Sequence, residues 1–282
     1  MRLALVTAKH VEPRATDDRL LCEALAARGH GFDWFAWDDE AARWQDYERV
    51  VLRSCWDYHL YTERFQHWLQ GLGAAGVNLV NPLPLIRENL HKRYLLRLAD
   101  AGIPVPPLKL VPYGSEVALA DLQAELGGGE LVVKPAVSGS AWRTLRVPAR
   151  GAAAAQAEFA ALTRERDVIV QSFIPEIGGL GEYSLMFFGG RYSHAVLKTP
   201  RTGEFRCQRE YGGSVTALPA PASVLETARR ALAVFGAPPY ARLDLVVTRG
   251  MPMIMEVELI EPVLFFAEAG GSAALMADAL TA

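Results

Sequence analysis

Cysteine is scarce in this chain: Cys22, Cys55 and Cys207 lie far apart and form no CxxC pair. Neither a disulfide framework nor a zinc knuckle can be assembled from them, and isolated cysteines ordinarily pack as small hydrophobes. No apolar run reaches membrane-spanning length. The opening MRLALVTAKHVEPRATDD turns charged within a few residues and meets Pro13, so a signal peptide is not expected and the cytoplasm is the expected address. An excess of positive charge is missing as well. With 29 basic against 32 acidic residues the formal charge is −3, and neither nucleic acid nor an anionic membrane is an expected partner. The chain has no GxxxxGK[ST], no GxGxxG between strand and helix and no GxSxG, which argues against a P-loop, a dinucleotide fold and acyl-enzyme chemistry. The six histidines, at 10, 30, 59, 67, 91 and 194, form no metal-ligand grouping.

What is present is an ordinary globular composition, 51% hydrophobic over 282 residues, enough for a large core shared by two or three domains. LALVTA reads as a buried strand. The stretch 18–28 carries Leu20, Leu21, Ala24 and Leu25 at helical spacing and stops at Gly29. FDWFAW, RVVLRS and VNLVNP are further strands around a helix over 61–72, so residues 1–88 predict a small parallel-sheet domain. A helix over 89–101 follows, ended by AGIPVPP. Beyond it, ELVVKPAV, RDVIVQSFI, EYSLMFFGG, RYSHAVLK, ARLDLVV and MPMIMEVEL have hairpin-like spacing, with Arg249-Gly250 as a turn, and predict antiparallel α+β lobes. The alanine-rich piece 151–161 predicts a crossing helix.

Three groups of residues could carry chemistry. Lys134 ends an apolar strand before the small-residue loop Ser138-Gly139-Ser140, where an ammonium and backbone N–H groups could converge on a polyphosphate. A lysine beside an ordinary turn would look alike. Asp244, Glu256 and Glu258 lie on two adjacent strands. Alternation sets the two glutamates on one face, with Asp244 opposite and Met253, Met255, Val257 and Leu259 on the other side. Three carboxylates on one face repel one another, and as oxygen ligands they suit Mg2+; a solvated polar face is the bland alternative. Glu261 is a weaker addition because Pro262 bends the chain away. Lys198, Arg201, Arg206 and Arg209 place four cations near one hairpin, suited to a transferring phosphoryl group or else to a solvated basic loop.

The order of these segments resembles the ATP-grasp family, in particular its glutathione synthetase and ribosomal-protein glutamate ligase branch. The resemblance implies an α/β and α+β architecture: an N-terminal parallel-sheet pre-ATP-grasp domain (1–88), a central lobe (89–172) and a C-terminal lobe with the metal site (173–282). NLHKRYLLRLADAGIPVP is similar to the first-lysine helix, which gives Lys92 to the nucleotide phosphates. LVVKPAVSGSAWRT is similar to the second lysine, Lys134, and its covering loop. VIVQSFIPEI resembles the interlobe hinge, whose backbone at Phe173 and Ile174 would meet adenine with help from Gln171. GEYSL supplies Glu182 for the ribose, with Glu176 an alternative. LKTPRTGEFRCQREYGG implies Lys198 and Arg206 for the transferring phosphate and a substrate carboxylate. YARLDLV with IMEVELIEP implies Asp244, Glu256 and Glu258 for magnesium, with manganese an alternative. Three positions depart from the pattern: Glu258 stands for the usual Asn, Ser184 for Arg and Gln208 for Asn. VVLRSCWDYH, FQHWL and MEVELIEPVLFF are similar to the O-ureido-serine cyclo-ligase group of cycloserine biosynthesis. That similarity implies a substrate wall at Arg53, Trp56, Asp57 and Tyr58, which could equally be a packed corner.

The implied reaction phosphorylates a carboxyl or carbonyl oxygen of a small amino-acid-like substrate with MgATP, after which a nitrogen attacks the activated carbon. Ring closure within one substrate and joining of two share this chemistry. An ATP-binding sensor without turnover is the alternative from another class, opposed by the intact set of charged residues. The family is compatible with a homo-oligomer.

Overall fold

The protein was analysed as a computed structural model, which describes residues 1–12, 17–207 and 211–282. Among these residues no helix is long and apolar enough to cross a membrane. The first unit is a parallel sheet. Its strands are β1 (Arg2–Thr7), β2 (Gly31–Ala36), β3 (Arg49–Ser54) and β4 (Leu79–Val80), in the order β2-β1-β3-β4. LALV and VVL are apolar without alternation because both faces are covered, and Leu3 to Val6 and Val50 to Leu52 are completely buried. Helices α1 (Asp18–Ala27), α2 (Thr62–Ala74) and α3 (Leu83–Asn89) belong to this unit.

Two expectations change here. The strand expected in VNLVNP shrinks to two residues, because Asn81 turns away from the ladder and donates its side-chain amide to Tyr240 O (2.9 Å) and Leu259 O (2.7 Å). The helix expected over 89–101 is shortened to α4 (Tyr94–Asp100), because α3 already ends at Asn89 and residues 90–93 form a break. In the break the Lys92 N–H donates to Ala136 O (2.8 Å) and His91 Nε2 lies 3.0 Å from Asp167 Oδ2, contacts that compete with the helical ladder.

A second sheet, antiparallel, is built from β5 (Leu108–Val111), β6 (Leu131–Pro135), β7 (Leu145–Val147) and β8 (Val168–Ser172) in the order β5-β8-β6-β7, covered by α5 (Leu119–Glu125) and the alanine-rich α6 (Ala152–Thr163). The third follows the short α7 (Ile177–Leu180). It contains β9 (Glu182–Phe188), β10 (Arg191–Thr199), β11 (Ser214–Ala217), β12 (Tyr240–Thr248) and β13 (Met251–Glu258), in the order β11-β10-β9-β12-β13, with α8 (Ala222–Val234) and α9 (Ser272–Thr281). Arg249 and Gly250, with φ of 50° and 79°, form the two-residue β12–β13 turn, the left-handed pair that matches strand twist. These layers make the ATP-grasp fold, with a parallel N-terminal sheet ahead of two antiparallel ones.

The β12–β13 pairing carries a bulge. Asp244 faces Glu256, but Leu245 faces Ile254, so Met255 is the extra residue. Strict alternation would set Met253, Met255, Val257 and Leu259 together. Instead Met253 and Met255 pack with Phe173, Ile174, Phe205, Cys207 and Val246, while Val257 and Leu259 join a separate core beneath α8.

Candidate active site

The three units border one cavity of about 840 Å3. On its β12–β13 side, Asp244, Glu256 and Glu258 each offer an oxygen within 4.8 Å of the others, a hard donor set that fits a divalent cation. The repulsion expected among them is offset by cations interleaved on the same surface. Arg242, two residues before Asp244 and therefore on its face, donates to Asp244 Oδ1 and Oδ2 (3.1 and 3.0 Å) and also to Glu258. Sequence reasoning passed over Arg242, although alternation alone sets it beside Asp244. Lys198 Nζ lies 3.2 Å from Asp244 and 2.5 Å from Glu182, and Ser184 Oγ donates to Asp244 Oδ1 at 2.5 Å. Lys92 Nζ and Lys134 Nζ approach Glu256 Oε1 at 2.8 and 3.4 Å.

The protonation states follow from this arrangement. Burial raises each carboxyl, and for Glu256 the two lysines outweigh it and hold the carboxyl well below the usual range. For Glu258 burial wins, with Asp244 and Glu256 adding to it against Arg242, and its carboxyl is pushed up to about 7. Lys198 is held charged, because Asp244 and Glu182 overcome its burial. Lys134, with burial outweighing the pull of Glu256, is shifted down from the ordinary lysine value. Cys207 lines the cavity, but burial pushes its thiol up to about 12, so it is no nucleophile.

The loop after β6 completes the opposite side. Ser138, Gly139 and Ser140 line the cavity, Ser138 O accepts from Lys92 Nζ (3.1 Å), and Ser138 Oγ donates to Pro135 O. Ser140 and Ala141 have positive φ. Next to them Trp142 lies on His59, ring centroids 5.4 Å apart, and under Arg166, whose guanidinium carbon is 4.6 Å from the ring. At the end of β8, Gln171, Phe173 and Ile174 line the cavity. The Phe173 N–H is already donated to Glu130 O (2.9 Å), so the hinge groups left without a partner among the described residues are Phe173 O and the Ile174 N–H. Ile174, Phe205, Cys207 and Met255 form an apolar slot beside them.

Glu182 faces the cavity, whereas Glu176 turns outward and accepts from Thr248 Oγ1 at 2.6 Å. Of the basic series, Lys198 is enclosed by acids. Arg206 lines the cavity, pairs with Glu204 (2.6 Å) and stacks 3.7 Å from the Tyr211 ring centre. Arg201 is exposed. Arg209 and Gln208 lie outside the described residues. On the N-terminal wall Arg53, Trp56 and Tyr58 line the cavity, but Asp57 does not: it accepts from Trp37 Nε1 (2.8 Å) and faces His10. Arg53 is 2% exposed and pairs with Asp18 at 2.8 Å, while donating to Pro262 O.

Comparison with known proteins matches the same regions. Residues 3–81 fit the family described as the N-terminal domain of D-cycloserine synthetase DcsG. The cycloserine biosynthesis protein DcsG of Streptomyces lavendulae is 33% identical over 93% of this chain and 92% of its own length. The crystal structure of D-cycloserine synthetase DcsG superposes with a TM-score of 0.90 at 32% identity, covering 99% of this chain and 98% of that one. A probable alpha-L-glutamate ligase of Aliivibrio fischeri is 25% identical over 75% of this chain and 68% of its own length. A RimK domain ATP-grasp protein of Sphaerobacter thermophilus, 23% identical, shares the fold at a TM-score of 0.71 over the whole of both chains.

Proposed function

We propose, for a chain that belongs to the ATP-grasp ligase family of D-cycloserine synthetase, that it phosphorylates the carboxyl group of a small amino-acid-like substrate and closes a C–N bond at the activated carbon, within one substrate. The observation that carries this reading is the meeting of Lys92, Lys134 and Lys198 with the Asp244–Glu256–Glu258 oxygens across one cavity that also holds an apolar slot. A nucleotide needs all three surfaces: cations for its phosphates, hard oxygen ligands for its metal, and an apolar cleft for its base.

In this reading residues 1–88, 89–172 and 173–282 are the pre-ATP-grasp domain and the two clasping lobes. Phe173 O and the Ile174 N–H meet the adenine edge, with Gln171 beside them, and Glu182 takes the ribose. Lys92, Lys134 and the loop amides around Ser138, Gly139 and Ser140 hold the phosphates. Asp244, Glu256 and Glu258 would hold Mg2+, which when bound neutralises phosphate charge. Lys198 and Arg206 orient the acceptor carboxylate and the phosphoryl group moving to it. Burial strengthens these contacts, since the same charges attract more strongly away from water. Trp142, packed on His59, excludes water from the phosphorylated substrate. Arg53, Trp56 and Tyr58 form the substrate wall, opposite the nucleotide.

ADP release over a panel of amino and ureido amino acids tests the reading. Release with a single substrate such as O-ureido-D-serine supports ring closure; dependence on two substrates transfers the case to a carboxylate–amine ligase. Binding of ATP with no release for any member would leave a sensor.

A further inference from the structure

Glu261 is a carboxylate beside the metal-ligand cluster that the roles above leave unused. The acids around the carboxylate cluster are engaged: Asp244 and Glu258 share Arg242, Glu182 holds Lys198, and Glu256 faces two lysines, while farther along the wall Asp18 pairs with Arg53 and Asp17 accepts from the Phe266 and Ala267 N–H groups. Glu261 lines the same cavity, yet among the described residues it makes no ion pair and no hydrogen bond to another side chain; its carboxylate receives only its own backbone N–H. Lys92 and Arg242 act on it only through space, and a half-buried acid that lines a cavity without a direct cation partner is unfavourable for the fold; such groups concentrate where chemistry needs them.

Its position is specific. Glu261 stands three residues beyond Glu258, where Pro262 turns the chain, and its carbonyl accepts from Trp56 Nε1 at 3.1 Å. It therefore links the carboxylate cluster to Trp56, and in the proposed reading the activated carbon and the attacking nitrogen meet between those two surfaces. Burial, then the charge of Glu258, pushes its carboxyl up to about 8 despite Lys92. A carboxylate of raised basicity is matched to taking a proton near neutral pH.

We propose that Glu261 is the general base for nitrogen attack, an assignment that rests on the phosphoryl-activation reading above. As the nitrogen adds to the activated carbon, the C–N bond forms and the N–H proton passes to a Glu261 Oε. The C–O bond to the phosphoryl group then breaks, inorganic phosphate leaves with the bonding electrons, and Glu261 returns its proton to solvent.

Positional isotope exchange in oxygen-18-labelled ATP separates the two halves of this reaction, because scrambling reports phosphoryl transfer whether or not nitrogen attack follows. With O-ureido-D-serine as probe, Glu261→Gln is expected to scramble label within about threefold of wild type and to lose product formation by about 100-fold or more. Hydroxylamine, which attacks without needing a base, should restore ADP release by trapping the acyl phosphate as the hydroxamate. Glu261→Asp should fall between wild type and Glu261→Gln. Equal losses of exchange and product in Glu261→Gln, or no loss of product, would overturn the base assignment. Absence of scrambling in both wild type and Glu261→Gln, with intact ATP binding and no hydroxamate formed, would overturn the phosphorylated intermediate itself, and the base with it.

Discussion

Arg242 and Glu258 stand opposite each other in the β12–β13 register, and the guanidinium bridges from Glu258 to both oxygens of Asp244. Burial pushes the Glu258 carboxyl up and repulsion from Asp244 and Glu256 adds to it, whereas Arg242 and Lys198 together outweigh burial and hold Asp244 low. A carboxyl that goes from 4.5 to about 7 on folding binds its proton more tightly in the folded state. Its stabilisation is complete below the unfolded value and is lost as pH rises through the folded one. Glu258→Gln removes this contribution. In EDTA, the variant's melting temperature should fall less steeply than that of wild type between about pH 5 and 7, and its Mg2+-dependent ADP production should drop sharply. Parallel pH profiles would show that Glu258 titrates normally.

Lys134→Ala tests the phosphate cradle. Lys92 continues to neutralise Glu256 at 2.8 Å, so the metal-free fold should melt within a few degrees of wild type. Loss of a charge-assisted hydrogen bond worth roughly 1.5–3 kcal/mol should weaken ATP binding by about 10- to 100-fold. A large fall in melting temperature with unchanged ATP affinity would make Lys134 a structural lysine.

The hinge should prefer ATP to GTP. In the proposed pose Phe173 O would accept from the exocyclic amine of adenine and the Ile174 N–H would donate to its ring nitrogen, a pattern that guanine, with its carbonyl and protonated ring nitrogen, reverses. Equal calorimetric affinities for the two nucleotides would remove the adenine assignment.

Trp142→Ala should uncouple the reaction. The indole ties the loop to His59 and Arg166, so its removal admits water, and ADP release without product should rise as a share of turnover. The ratio of ADP to product measures this, and an unchanged ratio counts against the loop as a water barrier.

Asn81→Ala bears on stability alone. Two buried carbonyls, Tyr240 O and Leu259 O, lose their donor. A cost of about 2–4 kcal/mol in chemical denaturation is expected at about 1–3 kcal/mol for each unsatisfied group, with partial relaxation. A change below about 0.5 kcal/mol would mean that the carbonyls find new partners.

Much of the fold was legible because its signals are local. RVVLRS coincides with β3, the alanine-rich stretch is helical, and Arg249-Gly250 turns as glycine chemistry requires. Where the sequence misled, a long-range contact decided. Nothing near Lys92 announces that its N–H will be claimed by Ala136, and the apolar spacing of 89–101 reads as one helix without that contact. The bulge at Met255 is silent in the same way: period-two alternation cannot register one additional residue, so a residue assigned to the core face lines the cavity. The cations around the carboxylates were partly visible. Arg242 follows from alternation, whereas Lys92 and Lys134 reach Glu256 from 164 and 122 positions away (256 − 92 and 256 − 134).

The Tyr240 hydroxyl lies within hydrogen-bonding reach of Leu52 O, Val80 O and Ile260 O, at 3.0, 3.3 and 2.7 Å. With Asn81 on Leu259 O, Asn89 on Val257 O and Arg53 on Pro262 O, it fastens the parallel sheet to the end of β13 and the segment beyond it. These two parts are therefore expected to move as one body, leaving residues 108–172 as the element that swings when a nucleotide enters or leaves. Opening then becomes a single-hinge motion whose amplitude depends on one lobe. Spin-label distances from Glu125 to Asp278 should broaden without nucleotide, while those from Glu63 to Asp278 stay narrow.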